Sequence, residues 1–363
     1  MHIKNLCLRN FRSYKNIYLE LNPNTNVFIG ENAQGKTNIL ESIYYCSVGK
    51  SHRTNKDKEL INWDSNESYV KLGVARKRLD KNIEIKVLKN GKKLITVNSI
   101  KLKKISELMG NLNVVMFSPD DLRIIKESPS NRRKFLDIEL CKINNIYYHS
   151  LVQYNKILNE RNYLLKRIDN KNILMLDVYD KQLSKYGAFI VKTRKKYLDK
   201  LNFIGKNIHK GITNESEVIN FKYLCNVEDI NLAEDELLSK LAKNRKKDIE
   251  RFTTNIGPHR DDFFVTINDI DTRTFGSQGQ QRTSVLTLKF ASLEIIKETI
   301  GEYPVLLLDD VLSELDSNRQ KYVLKSIKNI QTIITCTGME EIEKYINKDS
   351  QVYLVTKGNI KRV

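Results

Sequence analysis

The chain has 363 residues, 40% of them hydrophobic and 29% charged, so it can bury a sizeable core and is not a low-complexity sequence. Its 62 lysine and arginine residues outnumber the 44 acidic residues and leave a net charge of +18, which favours a polyanionic partner such as nucleic acid. An anionic membrane surface would also attract this charge, and the codon bias of an AT-rich genome would account for part of it.

The first part of the chain predicts strands around one helix. Alternating apolar residues predict strands near residues 6–8 and 17–21, and a short apolar run at 27–29 leads into Gly30. Apolar residues at helical spacing follow Thr37. Strands return over residues 69–97, with a hairpin turn at 89–92, and again at 114–117.

The middle and the end of the chain differ in character. Residues 128–249 show helical periodicity and dense charge, apart from a strand at 218–224. Beyond them we predict a helix from about Gln281 and three strands, at residues 263–267, 305–308 and 332–334. The pattern predicts an α/β fold: one head domain built from both chain ends, 1–127 and 250–363, with a mainly helical insertion at 128–249.

The segment after the third strand carries a complete G-x-x-x-x-G-K-[ST] motif, GENAQGKT. Such a loop turns backbone N–H groups toward a phosphate, while Lys36 reaches the β and γ oxygens and Thr37 offers its hydroxyl to Mg²⁺. A strand before the loop and a helix after it are the required context. The predicted ATP-binding residues are Gly30, Glu31, Asn32, Ala33, Gln34, Gly35, Lys36 and Thr37.

Two carboxylates follow the apolar run at residues 305–308. A run of this kind predicts a central parallel strand buried on both faces, and ligands of α/β sheets bind at the carboxyl ends of such strands. Asp309 is therefore predicted to hold Mg²⁺ together with Thr37, through water, and Asp310 to act as the catalytic residue that polarises the attacking water.

A third motif lies between these two in the chain. Residues Ser277, Gln278, Gly279 and Gln280 resemble the S-G-G-Q signature of ABC ATPases, with Gln278 in place of the first glycine. The start of the following helix would offer a second phosphate-binding surface. Residues 313–316, SELD, resemble the D-loop of the same superfamily. The resemblance implies that two copies stack head to tail, so that the signature of one closes, in trans, on the ATP held by the other.

Several blocks, in order along nearly the whole chain, resemble the RecF family of bacterial repair ATPases, which is related to SMC-type heads. The blocks are LCLRNFRSY (6–14), GENAQGKTNILE (30–41), KSHR (50–53), SPSNRRKFLD (128–137), GPHRDD (257–262), FGSQGQQR (275–282) and LLDDVLSELD (307–316). The resemblance implies ATP-dependent DNA binding in repair of gapped DNA, replication restart and the SOS response, with a junction of single and double strands as the expected DNA partner. It also implies a homodimer with ATP, and action with RecR and RecO that helps RecA load onto single strands.

Departures from the transporter pattern predict slow hydrolysis, so that the protein would be a weak DNA-linked ATPase and a switch. Asp310 stands where transporters have a longer glutamate, and the histidine expected after the strand at 332–334 is absent. Arg12 and Arg53 are possible nucleotide contacts, with ordinary surface arginines as the alternative. We interpret His259 and Arg260 as structural.

The basic run at residues 132–134 is interpreted as a solvated helix face, with contact to phosphate as the alternative. The DNA-contacting residues stay unknown from sequence alone. Five scattered cysteines without metal-ligand spacing, no signal peptide and no apolar run of ~20 residues predict a cytoplasmic protein with no membrane partner. The resemblance implies that it associates with the nucleoid.

Three alternative functions remain. The first is the nucleotide-binding subunit of an ABC transporter, although such subunits lack a long helical insertion. The second is a small-molecule P-loop kinase, which would lack the signature motif. The third is a purely structural SMC-like protein, although the insertion has no sustained heptad pattern.

Overall fold

A computed structural model of the protein describes residues 1–167, 173–312, 315–338 and 350–363. The chain forms two compact units. The first unit comprises Met1–Asp121 and Lys289–Val363, and the second comprises Leu122–Leu288. The two ends of the chain therefore fold together in the first unit.

The first unit begins with strands that surround one long helix. These elements are β1 (His2–Phe11), β2 (Tyr14–Glu20), β3 (Thr25–Ile29), α1 (Lys36–Val48), β4 (Glu67–Ala75), β5 (Lys81–Leu88), β6 (Lys93–Val97), β7 (Ile100–Lys101) and β8 (Val114–Phe117). The predicted hairpin turn at 89–92 joins β5 to β6.

The second unit is mainly helical. Its elements are α2 (Arg123–Lys126), α3 (Pro129–Ile143), α4 (Asn145–Leu165), α5 (Met175–Thr213), β9 (Ile219–Leu224), α6 (Ala233–Arg251), β10 (Asp262–Ile267), β11 (Ile270–Asp271) and the start of α7 (Gln278–Ile300). The first unit then resumes with β12 (Val305–Asp309), α8 (Ser317–Ser326), β13 (Thr332–Cys336), β14 (Gln351–Thr356) and β15 (Asn359–Arg362).

Two sheets build the first unit. The antiparallel sheet has the strand order β2-β1-β4-β5-β6-β7, and the mainly parallel sheet has the order β15-β14-β3-β13-β12-β8. In β12 and β13 every residue is buried, which is why both strands read as unbroken apolar runs rather than as alternating patterns. The carboxyl ends of β3, β12 and β13 lie at the same edge because these strands are parallel.

The boundaries of the second unit differ from those predicted from the sequence, which lie at 127/128 and 249/250. Its limits are residues 122 and 288, so it includes residues 250–288, which we had assigned to the head. The reason is strand pairing: β10 pairs antiparallel with β9 along its whole length, from Asp262 opposite Leu224 to Ile267 opposite Ile219. Because β9 lies in the helical region and pairs with β10, β10 belongs to the same unit as β9.

The basic run at residues 132–134 is not a solvated face throughout, so that prediction was wrong. Arg132 is buried and forms a bidentate ion pair with Asp262, at 2.6 and 2.9 Å, and Arg133 donates to the backbone oxygen of Asp261 at 2.8 Å. A buried guanidinium needs such a carboxylate partner. The fold therefore uses this arginine to join α3 to the start of β10.

His259 lies in the same part of the second unit and makes contacts within it. Its Nδ1 lies 2.7 Å from the hydroxyl of Tyr154, and its Nε2 lies 3.0 Å from the backbone oxygen of Thr254. Burial lowers the pKa of His259 to about 4. Within the described ranges, no helix is long and apolar enough to cross a membrane.

Candidate nucleotide-binding site

The G-x-x-x-x-G-K-T loop joins β3 to α1 and depends on both of its glycines. A Cβ at Gly30 would lie 2.3 Å from the backbone oxygen of Val355. Gly35 has a φ of +111°, and a Cβ there would lie 2.8 Å from the Ser13 hydroxyl. A side chain at position 30 would clash with the backbone, and a side chain at position 35 would be strained. The loop therefore requires glycine at both positions.

The loop is held from two sides within the first unit. The Tyr14 hydroxyl donates to the backbone oxygen of Gly35 at 3.0 Å. On the other side, the turn between β14 and β15 contacts Gln34: the backbone amide of Lys357 donates to its side-chain oxygen at 2.6 Å, and that of Gly358 to its backbone oxygen at 3.3 Å. This C-terminal turn has no motif of its own, so its contact with the loop was not predictable from the sequence.

Lys36 begins α1, and its side chain lies within the loop. Its Nζ donates to the backbone oxygens of Gly30 and Glu31, the latter at 2.8 Å. The other loop positions, Asn32 and Ala33, are exposed, and Ala33 has a φ of +64°, in the left-handed region. The ammonium group therefore lies beside the backbone that the motif predicts to surround a phosphate.

Thr37 and Asp309 are 272 residues apart in sequence and adjacent in the structure. The Thr37 hydroxyl lies 3.0 Å from Oδ1 of Asp309, and the Thr335 hydroxyl donates to the same carboxylate oxygen at 2.8 Å. Hydroxyl and carboxylate oxygens are the ligands that Mg²⁺ prefers, so this pair fits that ion. Among the described residues, no group of three or more His, Cys, Asp and Glu residues forms a metal cluster.

Asp310 follows at the end of β12. Its backbone is left-handed, with a φ of +53°, and its amide lies 3.1 Å from the Thr335 hydroxyl. Thr335 thus contacts both aspartates. It follows the strand segment 332–334, where transporters have their histidine. A non-glycine residue at positive φ is uncommon, and strained positions of this kind concentrate at functional sites.

The sequence analysis missed the role of Glu41. This α1 carboxylate is fully buried and accepts two hydrogen bonds from Arg12, at 2.9 and 2.7 Å, and one from the Ser51 hydroxyl at 2.5 Å. Arg53 lies 3.6 Å from it and also donates to the Asn38 side chain at 3.0 Å. The two arginines predicted as possible nucleotide contacts therefore share one partner, one helical turn beyond Thr37.

One signal in the sequence could have identified Glu41. It lies in the apolar stretch of α1, and an acidic residue among buried positions needs cationic partners. His52 lies in the same region, where its ring packs edge-on against that of Tyr44 at a centroid distance of 5.4 Å. Burial lowers the pKa of His52, and the negative charges of Glu41 and Asp309 oppose that shift.

The signature residues lie in the second unit, at the start of α7. The Ser277 hydroxyl accepts from the amide of Gln280 at 3.1 Å, and the Ser277 amide donates to the Gln280 side chain at 2.9 Å. This reciprocal pair is a capping box, and it satisfies two amides at the helix start. Gln280 also donates to Glu217 at 2.9 Å. Gln278 and Gly279 form the first turn of the helix.

Of the predicted D-loop, Ser313 and Glu314 lie outside the described residues. Asp316 caps α8: its side chain accepts from the amides of Asn318 and Arg319, at 3.1 and 3.0 Å. The loop after β12 therefore ends at a capped helix start.

Comparison with known proteins identifies the family. The family described as "RecF/RecN/SMC N terminal domain" matches residues 2–361. The protein "DNA replication and repair protein RecF" of Clostridium botulinum (strain ATCC 19397 / Type A) is 74% identical over 364 residues, which cover 100% of both chains. The chain belongs to the RecF family. The homologous RecF of Clostridium kluyveri is 62% identical, again over 100% of both chains.

Solved structures agree with this family and with the predicted fold. A structure described as the recombination mediator protein RecF-ATP in the RecFOR pathway is 40% identical, with a TM-score of 0.93, and covers 100% of this chain and 97% of that one. The Smc head domain of Pyrococcus furiosus has a TM-score of 0.59 at 16% identity, covering 100% of this chain and 96% of that one, and shows the fold alone. The fold is therefore the α/β ATPase head shared by RecF and SMC proteins.

Proposed function

We propose that this protein is an ATP-dependent DNA-binding protein that acts in recombinational repair and replication restart at gapped DNA, with a part in the SOS response. The observation that carries the proposal is the contact between Thr37 and Asp309, 3.0 Å apart, which joins the phosphate loop to the acidic strand end. Membership of the RecF family supports the repair role over the transporter alternative.

Different residues of the first unit bind different parts of ATP. The loop amides from Gly30 to Thr37 bind the phosphates, and Lys36 moves from backbone oxygens to the β and γ oxygens. Thr37 and Asp309 would hold Mg²⁺, which offsets phosphate charge when bound. Asp310 orients the attacking water. Its short side chain reaches less far than glutamate, so hydrolysis is slow.

The signature supports a site shared by two copies. Its capping box leaves Ser277 exposed at the start of α7, where N–H groups and the helix dipole favour an anion. In our proposal, Ser277 to Gln280 of a second copy close on the ATP phosphates, so ATP stabilises a head-to-tail dimer on DNA and hydrolysis releases it. Action with RecR and RecO, leading to RecA loading, completes the proposed role.

Light scattering with ATP and gapped DNA tests this mechanism. The wild-type protein should double in mass with ATP, and Lys36→Met should lose nucleotide binding. Ser277→Arg should bind ATP and stay a single copy. A matched control is Ser128→Arg, an exposed serine before another helix of the same unit, which should dimerise normally. Dimerisation of Ser277→Arg at wild-type levels would refute the shared site.

A further inference from the structure

The only tryptophan of the chain, Trp63, is 95% exposed on an ordered turn. Hydrogen bonds fix this turn to the end of β1: the Asn62 amide donates to the backbone oxygen of Asn10, and the Asn62 side chain donates to that of Arg12, both at 2.8 Å. The Ser65 amide closes the turn onto Asn62 at 3.0 Å. Because the backbone of the turn is fixed and a tryptophan side chain has only two χ angles, binding a partner through this ring costs little entropy.

Segments that carry cationic residues lie at the same end of the antiparallel sheet as this turn. Phe11, the last residue of β1, pairs with Ile61, which places the segment 56–61 beside the strand end. The Lys89 amide donates to the backbone oxygen of Asn66 at 2.9 Å, which places the β5–β6 turn there as well. The residues that define this surface, the Trp63 edge, are Arg9, Lys56, Lys58, Trp63, Lys89 and Lys92.

The charge of the Trp63 edge is available to a ligand. Lys56, Lys58, Lys89 and Lys92 are exposed, and within the described residues none of their ammonium groups forms an ion pair. Two of the acidic groups nearby are neutralised by ion pairs: Asp57 pairs with Lys93 at 2.6 Å, and Glu67 pairs with Lys86 at 2.8 Å. Glu59 accepts a hydrogen bond from the Thr54 hydroxyl and keeps its charge. Asp64 is the acidic side chain of the turn itself.

A groove of about 380 Å³ on the same sheet shares Arg9 with this edge. Arg9, Tyr69 and Lys86 are among its lining residues, and the Arg9 guanidinium lies 5.9 Å from the centre of the Tyr69 ring. Sites for single-stranded nucleic acid combine aromatic rings with cations, since bases stack on the rings and phosphates contact the cations. In duplex DNA the internal bases are already stacked on each other, so Trp63 could stack only at an end or at a gap.

We propose that the Trp63 edge binds unpaired nucleotides of DNA, with Trp63 stacking on a base and the surrounding lysines contacting phosphates. This inference rests on the proposed DNA-binding function and adds to it the surface that contacts the DNA. It predicts a preference for single-stranded DNA, or for the single-stranded part of a gap, over intact duplex.

The sole tryptophan makes the site directly observable. Tryptophan fluorescence of the full chain with ATP should be quenched by an oligo(dT) strand and far less by a blunt duplex of equal phosphate content. In anisotropy titrations with labelled oligo(dT), Trp63→Ala should bind about tenfold more weakly because the stacked ring is lost, and Trp63→Phe should retain most of the affinity because it keeps an aromatic ring.

Charge is tested with matched triple variants. Lys58→Ala/Lys89→Ala/Lys92→Ala should lower the slope of log affinity against log salt by about 2, at about 0.7 per phosphate contact. The control Lys4→Ala/Arg78→Ala/Lys81→Ala removes the same charge from exposed or partly exposed positions at the opposite end of the sheet and should keep the slope. Poly-glutamate is a polyanion without bases, so it distinguishes binding by charge from stacking. It should leave the tryptophan fluorescence unchanged.

The outcomes distinguish the two proposals. Wild-type affinity and salt slope in both the Trp63→Ala variant and the Lys58/Lys89/Lys92 variant would overturn the Trp63 edge, and would leave ATP-dependent DNA binding intact. Quenching by poly-glutamate equal to that by oligo(dT) would instead indicate an acidic protein partner and overturn the nucleotide assignment. Failure of the wild-type chain to bind any DNA with ATP would refute the proposed function itself.

Discussion

Replacement of Glu41 with glutamine tests how the first unit positions its two arginines. The carboxylate is fully buried; burial raises its pKa, but the hydrogen bonds from Arg12 and Ser51 and the charges of Arg12 and Arg53 outweigh burial, so its pKa is lowered and it is ionised at neutral pH. Glutamine keeps the shape, loses the charge and turns an NH₂ group toward a guanidinium.

The size of the effect follows from the contacts that are lost. Arg12 makes two charge-assisted hydrogen bonds to Glu41, at 2.9 and 2.7 Å, and such bonds contribute about 1.5–3 kcal/mol each. Glutamine can keep one of them as a neutral acceptor. We therefore expect the free energy of unfolding to fall by about 3 kcal/mol, and ATP affinity to fall about tenfold if Arg12 and Arg53 contact the nucleotide.

Urea denaturation and ATP-binding calorimetry measure the two effects on the same protein. Glu59→Gln is the control, because Glu59 is exposed and its carboxylate contacts only the Thr54 hydroxyl among described side chains; it should change stability by less than about 0.5 kcal/mol. If Glu41→Gln unfolds at the wild-type urea concentration and binds ATP with wild-type affinity, the arginines do not depend on this carboxylate and the reasoning is wrong.

Three further predictions concern other described residues. Gly35→Ala should abolish ATP binding while the protein stays folded, because alanine at a φ of +111° is strained; calorimetry with ATP measures it. Arg161→Met should lower the free energy of unfolding by about 3–5 kcal/mol in urea, because it leaves the buried carboxylate of Asp248 without its cation and leaves Asp180 paired with Arg245 alone. Burial raises the pKa of Asp261 to about 6 and lowers that of His259 to about 4, so acidification below pH 6 stabilises the fold through the first group and destabilises it through the second. Asp261→Asn should therefore lose stability more steeply than wild type between about pH 6 and pH 4 in urea titrations, and an equal slope would contradict the assignment.

Short-range features of the chain were predictable from sequence. The phosphate loop, the buried strand before Asp309 and the helix after Ser277 are each specified by neighbouring residues: glycines where the backbone is crowded, apolar runs where both faces are covered, and a serine with a glutamine three residues later at a helix start. The resemblance to the RecF family came from such local blocks in order, and it is confirmed.

Contacts between distant segments were decided only by the tertiary structure. The meeting of Thr37 with Asp309 joins residues 272 positions apart, and the pairing of β9 with β10 moved residues 250–288 into the second unit. Burial of Arg132 against Asp262 has the same cause. Periodicity reports which face of an element is apolar, but it carries no information about which partner covers that face, because hydrophobic burial is not directional.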